Sequence, residues 1–245
     1  MILLELVPKQ IDALISQIHE IGKKYPEIDG YNIPDIKAIK NRSYQCAEEL
    51  LKQRITAIPH IRSIDNSIQK TLTIIGNLKN RGLERVLIVS GDNNKKIPTK
   101  KYSISSVKLI SRIKQTHPSL KVYGALDSYR TSAKKELLYC QQKIDAGADG
   151  FFTQPFFCEK DASYYLEKLK HTNLYIGLSP VLTEKTKQYW ETVNNVKFDS
   201  RFKLTMNYNH DIGKKIIELT KQYKQSLYLM PITTDPMQYL SGIFN

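Results

Sequence analysis

The sequence predicts an α/β fold, a single (β/α)8 barrel of the TIM type. Three observations carry this. Apolar runs of strand composition alternate eight times with stretches of helical period, at intervals of about 27 residues, as successive βα units of a parallel barrel would. Polar residues gather at the C-terminal ends of these runs, where the loops of such a barrel converge. The first run is followed by VPKQID, which is not the glycine-rich phosphate turn of an open doubly wound sheet, the alternative architecture. No linker or low-complexity break interrupts the chain, so residues 1–245 read as one domain.

The elements follow in order. Residues 2–8, ILLELVP, form a buried strand in which Glu5 is the anomaly, because an ionised carboxylate inside a core is costly unless paired or facing a site. Over 10–24, Ile11, Leu14, Ile15, Ile18 and Ile21 recur at helical spacing, and Pro26 ends the helix. Residues 28–35 are a second strand with a polar end. A helix over 43–54 turns Leu50 and Leu51 inward. Residues 55–60 are a third strand, ending on His60. A helix over 67–80 is followed by Gly82 as its C-cap. RVLIVSGD, 85–92, is the fourth strand, and a polar loop covers 93–101.

The second half repeats the unit. A helix over 105–116 precedes the fifth strand, 121–125, and its loop DSYRTS, 127–132. A helix over 133–146 turns at Gly147 into the sixth strand, which runs through Phe151, Phe152 and Thr153 to Gln154 and Pro155. A helix over 161–170, a strand over 174–180 and a helix over 183–193 follow. Residues 194–211 break the period and read as an insertion carrying a short helix. A helix over 212–223, the eighth strand over 226–231 and a short helix after Asp235 complete the chain.

Composition narrows the function. With 41% hydrophobic and 25% charged residues, the class is soluble and globular. No apolar run approaches the ~20 residues of a membrane span, and MILLELVPK reads as a first strand, not a signal peptide. Cys46, Cys140 and Cys158 are far apart, odd in number and match no metal spacing. No metal and a reducing, cytoplasmic setting are expected. The net charge of +13 suits an anionic partner such as a nucleotide cofactor or a polyacid substrate. No nucleic-acid motif accompanies the lysines, whose tightest group is Lys95, Lys96, Lys100 and Lys101, and a solvated basic surface accounts for them. Neither a nucleic-acid nor a membrane partner is expected, and a homo-oligomer is left open.

A barrel would bring Glu5, Asn32, Asp35, His60, Ser90, Gly91, Asp92, Ala125, the DSYR loop and Gln154 to one mouth. Each has a plain structural alternative. Glu5 could be salt-bridged, His60 a satisfied core histidine, Asp92 a cap and Gln154 a loop anchor. Their joint placement argues for a site, because a structural layer would be apolar. Glu136 and Lys143, seven apart, share a helix face, as part of the site or as an exposed charged stripe.

These residues resemble the methylenetetrahydrofolate reductase family, flavoprotein (β/α)8 barrels, over nearly the whole chain. Lys143–Phe157 is similar to that family's K-x-x-A-G-A helix end followed by a strand closing on T-Q-x-x-F/Y. LELVPK, Pro59–His60, Ser90–Asp92 and Ile176–Val181 match in order and spacing, and GYNIPD is similar to the shorter bacterial and archaeal members. The resemblance implies reduction of 5,10-methylenetetrahydrofolate to 5-methyltetrahydrofolate with NADH or NADPH through bound flavin, FAD or else FMN. This is a step of one-carbon metabolism toward methionine. It implies Glu5 as general acid, Asp92 beside the flavin pyrimidine and Gln154 against folate and hydride donor. It implies flavin contacts at His60, Ser90, Gly91, Asp92, Gly124, Ala125, Glu136 and Lys143. The family's His-Pro-Glu motif after strand five is absent, Ser90 stands where many members carry arginine, and the strand-two threonine is missing. The alternatives are a flavin-free reductase passing hydride directly, or a barrel that binds folate or a partner without redox chemistry.

Overall fold

The computed structural model describes residues 1–91 and 101–244. Asp92, Lys95, Lys96 and Lys100 lie outside the described residues. Eight strands are parallel and close on themselves: β1 (Ile2–Glu5), β2 (Gly30–Ile33), β3 (Ala57–Arg62), β4 (Arg85–Val89), β5 (Lys121–Leu126), β6 (Gly150–Pro155), β7 (Asn173–Leu178) and β8 (Ser226–Leu229). Closure is direct, with Ile2, Leu3 and Leu4 in register with Leu227, Tyr228 and Leu229. The open-sheet alternative is thereby excluded. The helices between the strands are α1 (Ile11–Lys24), α2 (Ser43–Lys52), α3 (Ile68–Lys79), α4 (Ser106–Thr116), α5 (Ala133–Asp145), α6 (Glu159–Lys168), α7 (Glu184–Asn194) and α8 (Met206–Gln222), and α9 (Pro236–Phe244) follows β8.

The two faces of each strand meet different partners, because side chains alternate along a strand. Outward residues such as Leu4, Ile33, Phe151, Ile176 and Leu229 pack under Leu14, Ile18, Leu50 and Leu166 of the helices. Inward residues fill the lumen: Leu3, Ile58, Leu87, Tyr123, Phe152, Tyr175 and Tyr228. Phe152 stacks on Tyr175 at 4.2 Å, and Tyr123 meets Phe152 edge-on at 5.4 Å. The lumen is therefore a packed aromatic plug, and any ligand must sit above it, at the C-terminal mouth. Several helices start on an oxygen-bearing cap: Ser67, Ser105, Thr183 and Thr205 each accept a backbone N–H three residues on.

Four expectations need correction. Strands one, two and four are shorter than expected: β1 stops at Glu5, β2 at Ile33, next to Pro34, which has no N–H to give the ladder, and β4 at Val89. β3 runs past His60 to Arg62, whose register partner is Val89. The last strand-connecting helix starts at Met206, capped by Thr205, not at residue 212. Residues 195–205 hold no short helix. Phe198 and Phe202 stand four apart, as on a helix face, yet the segment is irregular, and with Leu204 they pack on Phe157, Trp190 and Val196. Among the described residues no helix is long and apolar enough to cross a membrane.

Candidate active site

Above the plug lies a cavity of about 740 Å³. Its floor is Leu87, Phe152, Tyr228 and Met230, and its walls carry Glu5, His60, Ala125 and Gln154. Thr186, Tyr189 and Trp190 of α7 cover one side. Four of the sequence-predicted residues thus come together on one cavity, from β1, β3, β5 and β6.

Glu5 ends β1 opposite Asn32 of β2. The Tyr228 hydroxyl donates a hydrogen bond to its Oε2. Nε2 of His60 lies 3.8 Å from the same oxygen and accepts from the Asn32 side-chain amide at 3.2 Å. Burial raises the Glu5 carboxyl to about 7, with the Tyr228 hydrogen bond pulling the other way. Burial lowers the His60 imidazole to about 3. The two desolvation effects favour the neutral form of each group, so the pair is a carboxylic acid beside a neutral imidazole and not a salt bridge.

Gln154 owes its position to a break in register between Phe152 and Pro155, where β6 shifts against β7. Gly177 makes the shift fit. A Cβ there would lie 2.7 Å from the Thr153 carbonyl oxygen and 2.9 Å from the Gln154 carbonyl carbon. Its N–H instead donates to Thr153 Oγ1 at 2.8 Å.

The remaining expected residues among those described sit around this cavity without lining it. Ser90 is exposed, and Gly91 adopts a left-handed φ of 87° with the Arg62 guanidinium 3.0 Å from where a Cβ would stand. Asp35 turns away into a buried ion network: Arg42 donates to it at 2.5 and 2.8 Å and to Asp65 at 2.7 Å, while Lys37 and Arg62 also pair with Asp65. That network ties the loops after β2 and β3.

Glu136 and Lys143 are buried, which rules out the exposed stripe. Glu136 accepts from Arg130 at 2.8 Å and from the Asp127 N–H at 3.1 Å, pinning the loop after β5. The Lys143 ammonium donates to the Ala125 carbonyl and lies 4.1 Å from the Tyr139 ring centroid. Burial lowers its pKa. Gly124 makes room for it, since a Cβ there would meet the Lys143 stem at 2.9 Å. These residues shape the wall that presents Ala125.

Sequence reasoning missed Tyr228, Trp190 and the α7 cover. Tyr228 and Met230 are two apart in SLYLMP, a period that puts a phenol on the lumen side of a strand, and this was the available signal. Nothing local in α7 announces that it lies over the mouth.

The family described as Methylenetetrahydrofolate reductase matches residues 10–201. A 5,10-methylenetetrahydrofolate reductase of Buchnera aphidicola subsp. Schizaphis graminum is 22% identical over 77% of this chain and 68% of its own length. Those of Buchnera aphidicola subsp. Acyrthosiphon pisum and Escherichia coli K12 are each 24% identical, over 64% and 66% of this chain. The chain spans only 56% and 53% of the length of these last two. Among solved structures, DHPS of Yersinia pestis aligns with a TM-score of 0.56 at 9% identity over 99% of this chain and 90% of that one. A putative deoxyribose-phosphate aldolase of Coccidioides immitis aligns with 0.57 at 10% identity, over 95% and 82%. These two likenesses show the fold alone.

Proposed function

The chain belongs to the methylenetetrahydrofolate reductase family, and from that premise we propose that it reduces 5,10-methylenetetrahydrofolate to 5-methyltetrahydrofolate with hydride from NADH or NADPH. The observation that supports this most is Glu5, a carboxyl that holds its proton up to about pH 7 on the wall of the mouth cavity. The reaction needs such a group. One C–N bond of the methylene bridge breaks when its nitrogen takes a proton, and the iminium left on the other nitrogen accepts hydride at carbon. Glu5 supplies the proton, becomes a carboxylate and regains a proton from water, while the nicotinamide leaves oxidised. His60 stays neutral and so does not put a competing cation beside the iminium. Gln154 offers a donor and an acceptor to the folate ring and the hydride donor. The apolar floor of Leu87, Phe152 and Met230 keeps water from the reacting carbon.

The same cavity fits the flat ring of a flavin. Leu87, Phe152 and Ala125 would give it apolar contact, and His60 and Gln154 hydrogen bonds at its edge. Asp92, just beyond Gly91, is assigned to its pyrimidine side. A flavin held there would relay hydride from nicotinamide to folate. One observation favours a second reading, direct hydride transfer without flavin: Lys143, an expected flavin contact, and the nearby Arg130, cations that would suit flavin phosphates, are engaged by Ala125 and Glu136.

Titration of the protein with FAD and with FMN, followed by flavin fluorescence, separates the readings when paired with an anaerobic assay of methylenetetrahydrofolate and each nicotinamide donor. Micromolar flavin binding with flavin-dependent turnover supports the first. Turnover without flavin supports the second. No turnover under either condition overturns both in favour of a binding barrel. Glu5→Gln should lower folate reduction by about 10²–10⁴, the usual worth of a general acid.

A further inference from the structure

We propose that Tyr228 is the positioning residue of the general acid: by binding Oε2 of Glu5 it leaves Oε1 as the oxygen that carries the proton to the substrate. The proposal rests on the reading of Glu5 as proton donor.

The geometry comes from barrel closure. Tyr228 is the register partner of Leu3, two residues below Glu5 on the neighbouring strand. A phenol from that position reaches up the lumen wall to the carboxyl, and its hydroxyl donates to Oε2. The ring is fixed, with 3% of the residue exposed. It stands edge-on to Phe152 at 5.1 Å and to His60 at 6.5 Å. His60 flanks the same oxygen, but its Nε2 is 3.8 Å away and already accepts from Asn32. Oε1 makes no hydrogen bond among the described residues, and the Glu5 side chain keeps 12% of its surface open.

A donor hydrogen bond to one carboxyl oxygen disfavours a proton on that oxygen and favours it on the other. In the transfer, the O–H bond at Oε1 breaks, an N–H bond forms on the folate, and the electron pair stays on the carboxylate. Tyr228 then donates to a full charge, so it stabilises the carboxylate as it forms. The phenol is not itself the acid, because burial and the neighbouring carboxylate hold its pKa well above the ordinary 10.

The test is Tyr228→Phe, which removes the hydroxyl and keeps the ring contacts. Infrared titration of carboxyl-labelled protein follows Glu5, identified by the band lost in Glu5→Gln. The Glu5 midpoint should move upward and the alkaline limb of the kcat profile with it. Folate reduction should fall about tenfold in kcat with KM little changed. A Glu5 midpoint and kcat profile that do not move in Tyr228→Phe overturn the proposal, whatever the activity. The failure of the underlying reading has a different signature: Glu5→Gln would reduce folate as fast as the parent, while the Glu5 midpoint still responds to Tyr228→Phe.

Discussion

Replacing Glu5 by glutamine should stabilise the protein at neutral and alkaline pH. The native carboxyl titrates at about 7 against an ordinary 4.5. Below pH 4.5 it is protonated folded or unfolded, and its ionisation has no influence on folding. Between 4.5 and 7 the unfolded chain ionises while the native state holds its proton, so the unfolded state binds fewer protons and stability falls as pH rises. Above 7 the full difference is lost, about 3 kcal/mol at about 1.4 kcal/mol per pH unit. Glutamine has nearly the same shape, does not ionise, and its carbonyl can still accept from Tyr228. Urea denaturation of both proteins between pH 4 and 8.5 reads the difference. The variant should gain steadily on the parent across pH 4.5–7 and then stay about 3 kcal/mol ahead, some 6–12 °C in Tm for a chain of this size. A difference that is flat with pH, or that favours the parent above pH 7, would refute the burial argument and with it the poised proton.

Three further outcomes are expected. Burial takes His60 from 6.5 to about 3, so the unfolded state binds an extra proton below pH 6.5 and stability declines from there toward pH 3. His60→Gln should flatten that acid limb in the same urea series, and an unchanged limb counts against a neutral buried imidazole. Gly177→Ala places a methyl 2.7 Å from the Thr153 carbonyl oxygen. It should cost about 1–3 kcal/mol and raise KM for folate by moving Gln154, so parental stability and KM would contradict the packing account. Trp190 is the sole tryptophan and covers the cavity. Folate or nicotinamide should change its emission saturably, and silence at saturating substrate would place binding elsewhere.

What the amino-acid order determined was whatever is periodic or local. Eight apolar runs separated by helical stretches specify parallel strands with helices outside. Glu5 stood out as a carboxylate inside the apolar run ILLELVP, and Gln154 as a polar residue closing one. Ser67, Ser105 and Thr183 marked helix starts through a bond made within one turn. The short helix expected in the insertion does not form, although Phe198 and Phe202 stand at helical spacing. Their order comes from packing on Trp190 of the preceding helix and on Phe157, which is far away in sequence. Tertiary structure alone decided the rest. The Glu136–Lys143 face reads equally as part of a site or as an exposed stripe until the fold buries it against Ala125 and Arg130. Tyr228 meets Glu5 across 223 residues only because β8 closes on β1. A local pattern records the forces between near neighbours. The proton on Glu5 is held by desolvation and by one hydroxyl from the far end of the chain, and both exist only once the barrel has shut.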